Sequence, residues 1–251
     1  MNRLFRTEGI VLKSIKLNEA DKIVTIFTKD FGRIKGIVKG VRKTKSQFGS
    51  SMENFTIIKL LAFKGKSFNT ISQSEIIQSF FPQSKDLFRY GLAIQCTEMV
   101  DRLLVEEDPY LELYELFKNL LLLLKDEQNP VLLVESFKWK LFALLGYQPE
   151  LNRCTSCHHL VKKDEYYIFD ISRGGICCLP CQRETGSFQI RISDYLLRLL
   201  QRVLMVDLEK IHNKDIEQTV LSEFGKINDL FLSYHFEMES RSRHFLKSCP
   251  Q

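Results

Sequence analysis

Through the first eighty positions apolar and polar residues alternate with a period of two, the pattern of strands that turn one face to a core and the other to water. The alternation resolves into five strands, roughly Gly9 to Ile15, Lys22 to Thr28, Arg33 to Val38, Phe55 to Ala62 and Phe68 to Ile76, with Lys29-Asp30-Phe31-Gly32 as the turn between the second and third. Five short strands in about 75 residues suit a small closed sheet, and an SH3-like barrel and an OB-fold both fit that count. From Ser84 to about Gly146 the period lengthens to that of a helix, with Leu113, Leu116, Phe117, Leu120, Leu121 and Leu124 on one apolar stripe. Pro109 and Pro130 each stand near a helix start, where a missing amide hydrogen costs nothing, so three helices joined by short loops are predicted. A cysteine-rich insert, about Leu151 to Gly186, interrupts the pattern before two further helices, near Ser193 to Val206 and Asp215 to Phe245. The expected chain is α+β and multidomain: a barrel over residues 1–81, the first part of a helical domain over 82–150, the insert over 151–186 and the second part of the helical domain over 187–251.

Composition narrows the class. With 251 residues, 44% hydrophobic and 11% aromatic, the chain has enough apolar material to fold on its own. The longest purely aliphatic run, Leu120 to Leu124, is far short of the roughly 20 residues that span a bilayer. No secretory signal pattern opens the sequence, so a cytoplasmic protein is expected, and its seven cysteines read as thiols or metal ligands rather than disulfides.

Charge is unevenly distributed. Residues 1–80 carry fifteen Lys and Arg against six Asp and Glu, a net of +9, which leaves −4 on the remaining 171 residues. Arg33, Lys35, Lys39, Arg42, Lys43 and Lys45 follow one another between Asp30 and Glu53 with no acidic residue among them. Arg33, Lys35 and Lys39 share the parity of a strand's outer face, whereas Ile34 and Val38 point inward. Gly36, Gly40, Ser46 and Gly49 allow close approach of a backbone. Such a strip neutralises phosphates without reading base sequence; its bland alternative is a solvated face followed by a lysine-rich loop. Phe31 and Phe48 bracket the strip, as stacking platforms or as core.

Cys154-Thr155-Ser156-Cys157 and Cys178-Leu179-Pro180-Cys181 are two C-x2-C pairs separated by twenty residues, a spacing used for tetrahedral four-thiolate zinc. Tyr166 to Asp170 has the length of a strand that brings the two turns together, and Gly174-Gly175 supplies backbone freedom for the return. The alternatives are four thiols without metal, or a redox pair. Cys177 could replace Cys178 as partner of Cys181, although the spacing of the first pair favours Cys178. His158 and His159 read as bystanders. Four cysteine ligands fill the shell of one zinc and leave no position for an activated water, so the ion is expected to be structural. The chain contains no G-x-x-x-x-G-K-[ST] loop, no G-x-S-x-G elbow and no P-C-x-x-C element of the zinc deaminases, and it is not expected to be an enzyme.

These residues together resemble the recombination mediator family RecO. The resemblance rests on Gly9-Ile10-Val11-Leu12, on Glu19-Ala20-Asp21-Lys22-Ile23, on Phe27-Thr28 with Gly32, and on Lys39-Gly40-Val41-Arg42-Lys43 with Ser46. Farther on it is carried by Phe137, Leu141, Leu144-Leu145-Gly146, Pro149, the two cysteine pairs around Gly174-Gly175, and Tyr234-His235 with Ser242 and Phe245-Leu246. Val41, where a small residue is expected, and the doubled Cys177-Cys178 depart from the pattern. The resemblance implies an N-terminal OB-fold, a helical C-terminal domain and a zinc finger inserted in that domain. It also implies a bacterial cytoplasmic, nucleoid-associated protein that binds single- and double-stranded DNA and anneals complementary strands. Its implied partners are RecR and the C-terminal tail of single-strand DNA-binding protein, and its role is to help load RecA.

Other residues weigh less. Cys96 and Trp139 read as core, Cys249 has no assigned role, and Arg191, Arg198 and Arg202 could extend a DNA track. A zinc-ribbon RNA-binding factor, or an adaptor without DNA affinity, are the competing functions.

Overall fold

The computed structural model describes residues 4–80, 86–163, 166–182, 188–211 and 215–238. Ser84, Gly186, Ser242, Phe245, Leu246 and Cys249, named above, lie outside them. Two compact units meet in the chain between Lys125 and Asp126, so the first two helices group with the strands.

In the first unit β1 (Leu4–Lys16), β2 (Lys22–Thr28), β3 (Gly32–Val38), β4 (Thr56–Phe63) and β5 (Asn69–Ser79) close into a ring in the order β1-β2-β3-β5-β4. The strand expected at Lys22 to Thr28 has those bounds; β1 begins five residues earlier than expected. β1 is long because it serves both neighbours, pairing with β2 from Gly9 to Lys16 and with β4 from Leu4 to Ile10. A bulge between Val11 and Lys13 bends it from one to the other. All pairings are antiparallel except β3 with β5, which run parallel and meet at Gly36 with Asn69 and at Ile37 with Thr70. A Cβ at position 36 would lie 2.8 Å from the Ile71 side chain, so glycine is what allows this closure. Ile34 and Val38 point into the barrel with Val11, Val24, Ile26 and Leu60, as the alternation requires. Each such side chain contributes about 1.5–3 kcal/mol by leaving water.

Helices α1 (Leu87–Leu103) and α2 (Leu111–Leu124) complete this unit. Asp86 caps α1, its carboxylate accepting the Arg89 amide at 2.9 Å. α2 buries Leu113, Phe117, Leu120, Leu121 and Leu124 from the expected stripe, and Tyr114 with them. The Tyr114 ring meets Phe27 edge-on at 5.4 Å, and its hydroxyl donates to Glu8 Oε1 at 3.0 Å. Lys118 Nζ reaches the same oxygen at 2.7 Å. Burial alone would raise the Glu8 carboxyl, but the hydrogen bonds from Lys118 and Tyr114 outweigh it and hold the group below its ordinary value. A depressed carboxylate stabilises the fold above its unfolded value and loses that contribution as pH falls through the folded one. Glu8→Gln is therefore expected to cost about 1–2 kcal/mol at pH 7 in urea unfolding. The difference from wild type should shrink as pH falls below about 4; a gap that does not change with pH would show that the charge of Glu8 is immaterial.

The second unit contains α3 (Pro130–Leu144), β6 (Tyr166–Asp170), β7 (Gly175–Cys177), β8 (Gln189–Ser193), α4 (Asp194–Met205) and α5 (Gln218–Phe236). Asn129 caps α3 with Pro130 in the first turn, and Ser193 caps α4. α5 ends earlier than expected: Glu237 takes a left-handed conformation (φ 50°), which stops the helix. Trp139 is fully buried among Phe142, Phe169, Phe224 and Phe231, with ring centroids 5.9–6.5 Å away. Beside this aromatic core lies a buried polar group. Glu135 pairs with Lys138 at 2.8 Å, and Asn228 Nδ2 of α5 donates to Glu135 Oε2 at 2.7 Å. The three strands form a small antiparallel sheet in the order β7-β6-β8. No helix among the described residues is long and apolar enough to cross a membrane.

Candidate metal centre and nucleic-acid interface

The β6 strand and its return carry the cysteines to one place. Gly174, at φ 63°, makes the turn from β6 into β7. β7 then delivers Cys178 and the short turn Leu179–Cys181, where the Cys181 amide donates to the Cys178 carbonyl at 2.9 Å. The first pair is fastened to the same strand, since the Thr155 amide donates to the Ile176 carbonyl at 2.8 Å. The sulfurs of Cys154, Cys157, Cys178 and Cys181 consequently lie within 4.8 Å of one another. A tetrahedral zinc with bonds of about 2.3 Å places its sulfurs about 3.8 Å apart, and the Cys157 and Cys178 sulfurs are 3.7 Å apart. Four thiols at this separation fit one ion with a closed shell.

Their protonation leans the same way. Burial would raise the Cys154 thiol, but the amides of Cys178, Cys157 and Ser156 directed at its sulfur outweigh burial and bring it down to about 5. Cys181 is pushed up to about 12, first by its hydrogen bonds with Cys178 and Cys157, and Cys178 is raised, first by burial. Four crowded sulfurs cannot all ionise without a cation between them, and a divalent ion supplies that charge. Cys177, of β7, packs beside Cys154 but is not one of the four grouped sulfurs, and its sulfur faces the Ser156 hydroxyl at 3.8 Å. His158 and His159 are exposed and join the cluster through backbone bonds to Cys154, not through their rings.

The cationic strip divides in two. Arg33 donates to the Asp101 carbonyl and carboxylate and reaches Glu106 at 3.4 Å, and Lys35 pairs with the same Glu106. Both lie on the outer face, where acidic residues at and just beyond the end of α1 meet them. Lys39, Arg42, Lys43 and Lys45 have no ion-pair partner among the described residues, and all four are exposed. They lie on the loop after β3, whose apolar residues do the opposite: Val41, Phe48 and Met52 enter the barrel core. Val41 thus occupies a core position that a smaller residue would leave partly empty. Of the two bracketing aromatics, Phe48 is core, while Phe31 is 39% exposed and packs against Phe5 at 4.7 Å. In the second unit Arg191 lies over the Tyr166 ring at 3.3 Å, Arg198 pairs with Asp194 at 2.7 Å, and Arg202 contacts the Lys210 carbonyl. The plugging residues and the α1 carboxylates were not signalled by periodicity; only the reversal of hydrophobicity within a basic loop hints at the former.

Fold and site together define a modular protein in which a small closed barrel bearing a cationic loop precedes helices and a four-cysteine cluster. Residues 1–80 match the family described as "Recombination protein O N terminal", and residues 84–244 match "Recombination protein O C terminal". The chain is 30% identical to a "DNA repair protein RecO" of Thermoanaerobacter sp. (strain X514), over 98% of both chains. It is 32% identical to one of Caldanaerobacter subterraneus subsp. tengcongensis over 97% of both, and 27% identical to one of Listeria monocytogenes over 96% of this chain and 93% of the other. The chain belongs to the RecO family of DNA repair proteins.

Proposed function

We propose that this chain is a bacterial recombination mediator with no catalytic activity of its own. Its barrel is read as an OB-fold, because the crossover that places β5 between β3 and β4 is the connection that separates this fold from a simple meander. The barrel binds single- and double-stranded DNA and anneals complementary strands. With RecR, and through the C-terminal tail of single-strand DNA-binding protein, it helps load RecA on coated DNA in the cytoplasm. Cys154, Cys157, Cys178 and Cys181 hold one structural zinc, which when bound neutralises four thiolates and ties the two turns of the finger together. The observation that carries the DNA reading is the loop of Lys39, Arg42, Lys43 and Lys45, exposed and without an ion pair among the described residues, on a backbone anchored by buried Val41, Phe48 and Met52. Phosphates of two strands held on such a surface repel each other less, and annealing then draws on base pairing alone, without ATP. Arg33 and Lys35 belong to the same strip and contribute less than the loop, because Asp101 and Glu106 offset their charge.

The test is annealing without ATP of complementary oligonucleotides coated with the cognate single-strand DNA-binding protein. Wild type is expected to anneal rapidly, and Lys39→Ala/Arg42→Ala/Lys43→Ala to lose the activity while remaining folded. The salt dependence of binding to a single-stranded oligonucleotide should fall by about 2 in log–log slope, from three lost contacts at about 0.7 each. Absence of annealing by folded wild type would leave an adaptor role in its place.

A further inference from the structure

The turn between β1 and β2 holds the start of the cationic loop by three hydrogen bonds. Asp21 Oδ1 accepts the Gly40 amide at 2.8 Å. The Ala20 carbonyl accepts the Arg42 amide at 3.0 Å, and the Asn18 carbonyl accepts the Arg42 guanidinium at 2.7 Å. Asn18 in turn orients the turn itself: its Oδ1 accepts the amides of Ala20 and Asp21, and its Nδ2 donates to Asp21 Oδ2 at 3.1 Å. These bonds fix the backbone of residues 40–42, between the buried Val41 side chain on one side and the exposed Arg42 and Lys43 on the other.

A carboxylate in this position is costly for a phosphate-binding surface if charge is all that matters. Asp21 is close enough to Lys39 and Lys43 that their charges add to the lowering of its carboxyl, behind the hydrogen bonds from the Gly40 amide and Asn18. By Coulomb's law it subtracts from the attraction that the loop offers to DNA. Its amide bond offers the opposite contribution, a loop already in its binding conformation.

We infer that Asp21 is a positioning residue for DNA binding: it holds the cationic loop in place through the Gly40 amide, at the expense of some positive field. This rests on the DNA-binding reading of the loop proposed above. The two effects have opposite signs, so substitution separates them. Binding of a fluorescent single-stranded oligonucleotide is measured across a salt series for wild type, Asp21→Ala, Asp21→Asn, Asn18→Ala and the loop triple variant Lys39→Ala/Arg42→Ala/Lys43→Ala. Asp21→Ala removes a negative charge yet is expected to bind about three- to tenfold more weakly. Asp21→Asn keeps an oxygen for the Gly40 amide and is expected to bind at least as tightly as wild type. Asn18→Ala, which changes no charge, should follow Asp21→Ala and serves in its place if that variant does not fold. Amide exchange at Gly40 should quicken in the two weakened variants alone. Binding by Asp21→Ala as tight as or tighter than wild type, while the loop triple variant loses affinity, would overturn the role of Asp21 alone. Full affinity in the triple variant would overturn the DNA reading of the loop, and the role of Asp21 with it.

Discussion

Serine in place of Cys154 is expected to abolish the proposed zinc binding and to loosen the two turns that carry the four cysteines. Cys154 is the hub of the cluster: 1% exposed, it receives the amides of Ser156 and Cys178 on its sulfur at 3.4 Å and the His158 amide on its carbonyl. The turn it anchors is joined to β7 through Thr155, and β7 is three residues long. A segment of this size would depend on the proposed ion, and losing it would remove folding free energy outright. Elemental analysis should find about one zinc per wild-type chain and far less in Cys154→Ser, with a lower melting temperature. Cys177→Ser is the control and should keep its zinc. Zinc at full occupancy in Cys154→Ser, or its loss in Cys177→Ser, would mean that the ion sits on a different set of sulfurs.

The buried pair in the second unit gives the other large effect. Lys138 and Glu135 are 3% and 8% exposed, and Glu135 is also the acceptor for Asn228. Glu135→Ala would leave an ammonium in an apolar interior and take one of two acceptors from Asn228 Nδ2, the main-chain carbonyl of residue 135 remaining, and is expected to destabilise by about 3–5 kcal/mol. Replacing both ends, Glu135→Ala with Lys138→Met, removes the stranded charge and should recover most of that loss. Urea unfolding of wild type, the two single variants and the double variant completes the cycle. A cost below about 1 kcal/mol for Glu135→Ala would imply that the lysine escapes to water or gives up its proton.

The parts of this molecule that obey local rules were legible from sequence. β2 is a run of β-branched and aromatic residues and occupies the expected positions, and the cysteine spacing picks out the four sulfurs that the fold brings together. What was missed depends on partners distant in the chain. The first five residues of β1 are strand because Leu4 to Glu8 pair with Phe63 to Lys59, far along the sequence. β7 is too short to carry a period of its own, and β8, although Gln189 to Ser193 alternates, is confirmed as a strand only by its pairing with β6. Parity placed Arg33 and Lys35 on the outer face, but no local pattern could reveal that Asp101 and Glu106 would meet them there. Equally, nothing periodic marks Val41 and Phe48 as barrel plugs inside a polar, glycine-rich loop.

The closed ring of β1 to β5 has one more consequence. Every strand of the barrel has a neighbour on both sides, but β3 and β5 meet only at Gly36 with Asn69 and at Ile37 with Thr70, so the ring is sealed along a short seam. A protein with an open sheet can capture a peptide by letting it become an extra strand, whatever its side chains. In this barrel such an edge is confined to the seam where β3 and β5 part beyond Thr70. Elsewhere on the ring, whatever it engages must be chosen by side chains and loop geometry, and strand exchange has only that seam from which to start.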